Sequence, residues 1–243
     1  MDYQIYNEDC ISGMSRLADG SVDAIICDPP YGVTNAPFDN RLPFEPMWQN
    51  FYRVIKKNGA IVLFCQQPFT SELIISNRQD FKYLMVWHKR QCSGFLNAKI
   101  QPLRSHEDIA VFYQRQCTYN PQMRKGKPQL KSTGGASVNY NKFTYKPHVS
   151  EDYYPTTLLD FPLARFKDGH PQQKPTALME FLVKTYTNKF ETVLDATMGS
   201  GTTGVACMTT GRKFIGFETD EGFFATAKAR LDLAIAQRNL ELV

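Results

Sequence analysis

Short β-rich apolar runs alternate with helical patterns along most of this chain, and that alternation leaves it very few folds to adopt. The runs are Gln4–Tyr6, Val22–Cys27, Ala60–Phe64, Tyr83–Trp87, Ile109–Tyr113, Thr192–Leu194 and Lys213–Phe217. Between them Phe44–Lys56, Thr176–Asn188, Thr202–Thr210 and Glu221–Gln237 carry helical spacing. In the last of these, Asp220 is placed to cap, and Phe223, Ala227, Leu231 and Ile235 recur four apart along one face. Strands separated by helices need crossover connections, which makes a sheet mostly parallel and puts helices on both of its faces. An α/β domain is expected.

The alternation fails between Cys117 and Pro162, where Gly, Pro, Asn, Gln, Ser and Thr dominate, with Tyr119, Tyr140, Phe143, Tyr145, Tyr153 and Tyr154 interspersed. So long a stretch is no simple connection; it is either disordered or functional. Charge singles out the same part of the chain. Between residues 81 and 150 twelve Lys and Arg meet only two acids, Glu107 and Asp108, so a chain of net charge +4 carries +10 here and −6 elsewhere. A basic block points to a polyanion. Other classes fall away on composition. No apolar run nears the ~18 residues of a membrane span, and the opening MDYQIYNEDC has neither the basic start nor the apolar stretch of a secretory signal. The six cysteines lie apart with no C-x-x-C pair, which speaks against a disulfide framework or a zinc site, and no metal is expected.

Three local patterns carry chemistry. Asp28-Pro29-Pro30-Tyr31 directly follows the strand VDAIIC, at the carboxyl end where open α/β sheets bind ligands. The two prolines stiffen the corner, holding together one carboxylate, one free backbone carbonyl and one aromatic ring. Read alone, it is also compatible with a Pro-Pro turn and a capping Asp. Second, Leu194-Asp195-Ala196-Thr197-Met198-Gly199-Ser200-Gly201-Thr202-Thr203 runs from a strand through a glycine-rich turn into a helix, whose first N–H groups favour a carboxylate or phosphate. It is neither a P-loop nor a full G-x-G-x-x-G pattern. Third, Glu218 ends the next strand, where an acid suits ribose hydroxyls.

Taken together, these motifs resemble the β group of S-adenosylmethionine-dependent amino-group DNA methyltransferases, in which the D-P-P-Y corner precedes the glycine-rich turn. The resemblance spans nearly the whole chain. IYNEDC with Asp9 matches the acidic strand end that contacts the cofactor adenine, and VWHK (Val86–Lys89) and RSHEDIAVF (Arg104–Phe112) match two later strands. His170-Pro171-Gln172-Gln173-Lys174-Pro175 matches the H-P-x-x-K-P segment before the cofactor turn. One departure stands out. The family turn reads D-P-F-x-G-S-G-T, whereas Ala196 and Thr197 occupy the Pro and Phe positions here, so either the affinity is lower or another side chain fills the gap.

The resemblance implies a Rossmann-like, mostly parallel seven-stranded sheet of circularly permuted class I methyltransferase type. Residues 1–116 would form the catalytic half, 117–162 an inserted target-recognition lobe, and 163–243 the cofactor half. It implies S-adenosylmethionine as cofactor, bound by Asp9, Cys10, Asp28, Asp195, Thr197, Met198, Gly199, Ser200, Gly201, Thr202, Thr203 and Glu218. Lys174 would reach the methionine carboxylate, or else be a solvated first-turn lysine; His170 reads as a turn residue. Asp28, Pro29, Pro30 and Tyr31 would be catalytic, with Asp in the first position pointing to adenine N6 rather than cytosine N4. Duplex DNA would be the partner, held by Lys89, Arg90, Arg104, Arg115, Arg124, Lys125, Lys127, Lys131, Lys142 and Lys146, while Gly32–Pro43 would close over a flipped base or act as a passive connection.

A cytoplasmic, prokaryotic or phage-encoded enzyme is expected, with a cognate restriction nuclease and a homodimer as further partners the family admits. Three rival readings remain at this point. One is cytosine-N4 methylation, another is RNA or protein-amide methylation on the same fold, and the third is a DNA-binding partner whose cofactor site has decayed.

Overall fold

The computed structural model describes residues 2–33, 39–131, 148–163 and 173–241. Ten strands are found among them: β1 (Tyr3–Tyr6), β2 (Val22–Cys27), β3 (Ile55–Cys65), β4 (Phe81–Ser93), β5 (Arg104–Phe112), β6 (Arg124–Lys131), β7 (His148–Tyr153), β8 (Leu158–Asp160), β9 (Thr192–Asp195) and β10 (Lys213–Phe217). The helices are α1 (Cys10–Gly13), α2 (Phe44–Val54), α3 (Phe69–Ser76), α4 (Thr176–Tyr186), α5 (Thr202–Thr210) and α6 (Glu221–Glu241). Eight strands form one sheet in the order β1-β10-β9-β2-β3-β5-β4-β8. Every pairing in it is parallel except those of β5 with β3 and β4, so β5 alone runs backwards.

Alternation along the central strands builds two apolar layers. On β2, Ala24 and Ile26 face one way with Ala60, Val62 and Phe64 of β3, and α4, α5 and α6 cover them with Leu178, Leu182, Ala206 and Leu231. Ile25 and Cys27 face the other way with Ile61, Leu63 and Cys65, under Met14, Met47, Phe51 and Phe69. All these strand residues are 0–1% exposed, and burying each Val, Leu or Ile side chain contributes about 1.5–3 kcal/mol. The cap expected on α6 forms: the Phe223 N–H donates to Asp220 Oδ1 at 2.8 Å.

The sheet has eight strands where seven were expected. The addition is β8, paired parallel to β4 through Val86–Leu158, Trp87–Leu159 and His88–Asp160. It has only three residues and one buried side chain, Leu159, too little for a periodic pattern to register. Its place is fixed instead by long-range partners. Trp87 Nε1 donates to the Phe161 carbonyl at 2.8 Å, and the Arg90 guanidinium grips Asp160 through two bonds of 2.9 and 2.7 Å. α3 is likewise silent in the sequence, because its apolar residues follow Pro68 without a helical stripe.

By its internal packing the chain forms two units, one of Met1–Asn120 with Thr157–Val243 and the other of Pro121–Thr156. The second contains a two-stranded antiparallel sheet of β6 and β7, where the sequence showed no strand pattern. These bounds are narrower than 117–162 for identifiable reasons. Asn120 is tied to α4 by its N–H on the Thr185 carbonyl (2.7 Å) and its side-chain amide on the Thr187 carbonyl (3.1 Å). Residues 157–160 belong to the large sheet.

Candidate active site

Four acids stand at the carboxyl ends of four neighbouring parallel strands: Asp9 beyond β1, Glu218 beyond β10, Asp195 closing β9 and Asp28 beyond β2. Asp9, Asp28, Asp195 and Glu218 all line one cleft of about 710 Å³. Each acid is held by local geometry. Asp9 caps α1, its Oδ1 accepting from the Ser12 N–H at 2.9 Å. Glu218 accepts from the Gly199 N–H through Oε2 (2.9 Å) and from the Asp220 N–H through Oε1 (2.8 Å), which ties the glycine-rich turn to the end of the next strand.

Asp195 is 3% exposed and accepts from the Thr203 hydroxyl (2.5 Å) and the Thr197 N–H (3.1 Å). Burial pushes its carboxyl up to about 7, the two donors only partly opposing that. Cys10 lies beneath Asp9, 4% exposed, and burial together with the nearby carboxylate lifts its thiol to about 12.

The turn itself is braced from both sides. Met198 donates its N–H to the Phe217 carbonyl at 2.9 Å. Gly201 has φ +76°, and a Cβ there would meet the Ala227 Cβ at 2.9 Å, so α6 packs directly on bare backbone. Gly201 thus serves helix packing, while Thr197, Met198, Gly199, Ser200, Thr202 and Thr203 line the cleft. Arg230 of α6 donates to the Ser200 carbonyl (2.5 Å) and hydroxyl (2.9 Å) and to the Thr202 hydroxyl (3.2 Å). At the position where an aromatic is missing from the turn, the Thr197 hydroxyl donates to the Asp28 carbonyl at 3.0 Å and locks turn and corner together. Phe223 lines the same cleft from α6.

At the corner, Tyr31 donates its hydroxyl to Asp28 Oδ1 at 2.5 Å and stacks on Phe69, centroids 5.2 Å apart. The Tyr31 hydroxyl is pushed well above its ordinary range by burial and by the carboxylates of Asp28 and Glu107. Pro29 and Pro30 line the cleft beside it. The Lys174 ammonium donates to the other oxygen, Asp28 Oδ2, and lies 3.3 Å from Glu107 Oε2. Glu107 Oε1 in turn accepts from Lys89 at 3.1 Å. Burial would raise the Glu107 carboxyl, but Lys174 and Lys89 outweigh it and hold the group below its ordinary value. Burial would likewise strip Lys174 of its charge; Asp28 and Glu107 reverse that and raise it.

This network places two of the expected site residues. Lys174 is 9% exposed and its ammonium is engaged with two carboxylates inside the cleft, so it is not a solvated first-turn lysine. Lys89 is 5% exposed and points at Glu107, inside the cleft rather than on a phosphate-binding surface. Arg90 is exposed and pairs with Asp160, whose carboxyl that contact lowers to about 2. Arg104, Arg115, Arg124, Lys125 and Lys127 are exposed, Arg104 at the cleft and Arg124, Lys125 and Lys127 on β6, with Lys125 paired to Asp152 at 2.8 Å. Lys131 ends β6. Lys142, Lys146 and His170-Pro171-Gln172 lie outside the described residues.

Of Gly32–Pro43, residues 34–38 also lie outside them; the flanks fold back, Asp39 accepting from the Gly32 and Val33 N–H groups (2.8 and 2.9 Å) and Arg41 donating to the Tyr31 carbonyl (2.6 Å). Glu107, Arg230 and Gln173 belong to this network although no motif position marks them. Glu107 had a signal, being one of two acids in an otherwise basic block; Arg230 had none beyond its place on a packed helix.

Known proteins sharpen the assignment. The chain is 28% identical to the type II methyltransferase M.HpaI of Haemophilus parainfluenzae, over 96% of this chain and 75% of that protein. It is 28% identical to the DNA adenine methyltransferase YhdJ of Escherichia coli (strain K12), over 95% of this chain and 83% of YhdJ. The crystal structure of the M1.HpyAVI–SAM complex superposes with a TM-score of 0.63 at 28% identity, covering 94% of this chain and all of that one. The DNA methylase family of N6/N4 type matches residues 22–229, from β2 well into α6. With the D-P-P-Y corner, the glycine-rich turn and Glu218 all inside that match, the chain belongs to the N6/N4 DNA methyltransferase family, whose members use S-adenosylmethionine.

Proposed function

We propose that this chain methylates the N6 amino group of adenine in duplex DNA, by direct in-line transfer to a base flipped out of the helix. The observation that carries the reading is the Asp28 carboxylate beside the Pro29 carbonyl and Tyr31, at the point where the Thr197 hydroxyl joins the corner to the glycine-rich turn. The name of YhdJ, a DNA adenine methyltransferase, supports the choice of base.

The cleft suits the cofactor chemically. Glu218 and Asp9 supply acceptors for hydroxyls and amines, the turn from Thr197 to Thr203 supplies hydroxyl and N–H donors, and Phe223 supplies an apolar face. When bound, S-adenosylmethionine supplies a methyl group on a sulfonium, an electrophile that needs no enzyme nucleophile. The chain's own residues then act on the acceptor. An exocyclic amine is a poor nucleophile because its lone pair is delocalised into the ring. Hydrogen bonds from that amine to Asp28 and to the Pro29 carbonyl favour a pyramidal nitrogen with its lone pair aimed along the transfer line. Positioning and electrostatics provide most of the rate. Tyr31 borders the base pocket, where an aromatic face stabilises a flipped base by ~1–3 kcal/mol against the few kcal/mol that unstacking costs.

In this reading 1–116 is the catalytic half, 163–243 the cofactor half, and the unit within 117–162 the target-recognition lobe. Arg124, Lys125 and Lys127 there, with Arg104 and Arg115, contact phosphates. The enzyme works in a prokaryotic or phage restriction–modification setting, with a cognate nuclease and a second copy of the chain as partners. The deciding experiment incubates the protein with labelled S-adenosylmethionine and unmethylated duplex DNA, digests the product and identifies the nucleoside. N6-methyladenine is expected; N4-methylcytosine overturns the choice of base, and unlabelled DNA overturns the activity.

A further inference from the structure

Both oxygens of the Asp28 carboxylate are already engaged: Oδ1 accepts from Tyr31 and Oδ2 from the Lys174 ammonium. In the proposed function the target amine donates to this carboxylate, so Lys174 competes with a substrate N–H for the Asp28 oxygens. Another acceptor lies within reach. Glu107 Oε2 is buried, makes no hydrogen bond, and sits 3.3 Å from Lys174 Nζ. The other Glu107 oxygen is anchored by Lys89 at 3.1 Å, and the Phe64 ring lies 5.0 Å from the ammonium, a face along which a cation can shift. Closing the gap to Glu107 means shortening 3.3 Å to the ~2.8 Å of a charge-assisted hydrogen bond.

We propose that Lys174 is a place-holder for the target amine on Asp28, and that Glu107 is the positioning residue that receives its ammonium when the base enters. Before entry, the cluster of Asp28, Glu107, Lys174 and Lys89 is neutral, two carboxylates against two ammonium groups. The hand-over keeps it so, because the lysine moves as a cation and no proton changes hands. A partly buried carboxylate without a partner costs free energy, and a lysine that fills it until substrate arrives avoids that cost. The proposal rests on the reading that an exocyclic amine bonds to Asp28. It does not depend on which base bears that amine, so finding N4-methylcytosine would change the substrate and leave the hand-over standing.

A double-mutant cycle on the full chain tests it, read as labelled methyl transfer to unmethylated phage DNA, with S-adenosylmethionine affinity and thermal unfolding measured alongside. Glu107→Gln strands Lys174 on Asp28 and is expected to lower kcat/KM for DNA at least tenfold while cofactor affinity stays within twofold. Lys174→Met is expected to keep at least a tenth of wild-type kcat/KM. In that background Glu107→Gln is expected to cost less than twofold, since nothing remains to be received. A structural role for Glu107, as the counter-ion of buried Lys89, predicts equal losses in both backgrounds, and that result overturns the proposal. So do a fully active Glu107→Gln enzyme and an inactive Lys174→Met enzyme. Should Glu107→Gln not fold, Glu107→Asp replaces it in the cycle: the charge is kept but the reach shortened, and the same dependence on Lys174 is required.

Discussion

Asp195 and Asp28 end adjacent strands, β9 and β2, and the molecule treats their charges in different ways. Asp195 meets only neutral donors, the Thr203 hydroxyl and the Thr197 N–H, and burial leaves its carboxyl up at about 7. Asp28 meets a lysine, and Glu107 behind that lysine stays below its ordinary value despite burial. Neutral bracing fixes the shape of a turn but leaves the negative charge expensive. Cationic bracing sets a positive charge directly beside the carboxylate to which the proposed function assigns the amine.

The largest effect that sharpens this contrast is expected at the corner. Asp28→Ala should lower methyl transfer on the order of 10²–10³-fold or more, the range seen when a preorganised electrostatic partner is removed, while calorimetry still detects cofactor binding. Retained activity would break the assignment of the charged corner.

At Asp195 the effect is on stability and its pH dependence. Folded Asp195 holds its proton up to about pH 7, whereas the unfolded chain releases it near the ordinary value of 3.8. Its contribution is therefore fully present below pH ~4 and is lost as pH rises through about 7, amounting to a few kcal/mol at most. Urea unfolding between pH 5 and 8 should show this slope in the wild type and a flatter one in Asp195→Asn. An unchanged slope would mean the neutral brace carries the charge after all.

Smaller again, Glu218→Ala removes the acceptor of two backbone N–H groups at the cleft and should weaken S-adenosylmethionine binding about tenfold by calorimetry, near the value of a charged hydrogen bond. The least is expected from the lysines that differ in exposure. Lys127→Ala should reduce the slope of log K against log salt by ~0.9 if it contacts a phosphate. Lys89→Met, buried on Glu107, should leave that slope alone, and a drop there would return Lys89 to the DNA surface.

Periodicity made most of the large sheet legible, because β2, β10 and α5 bury side chains in patterns that depend on near neighbours alone; their observed limits are those the pattern predicts. The three-residue β8 carries no pattern of its own and exists through Arg90 and Trp87. The corner and the glycine-rich turn were legible as motifs, yet the partner of Lys174 was not. Lys174 and Asp28 are 146 residues apart, and only the folded sheet makes them neighbours. Nor does composition separate Lys89, facing inward on β4, from Lys125, facing solvent on β6.

β2 has a consequence in time as well as in space. It pairs on one side with β3, through Ala24–Ala60, and on the other with β9, through Ala24–Val193 and Ile25–Leu194. A ribosome adding ~5–20 residues per second makes Asp28 and then needs roughly 7–30 seconds to deliver Lys174, 146 residues later. The strand that seats β2 from the other side follows only afterwards. Until then a nascent chain carries Asp28-Pro29-Pro30-Tyr31 with neither Lys174 nor the glycine-rich turn beside it. The corner is therefore among the last places in the sheet to be completed, although its tetrapeptide is among the first residues made.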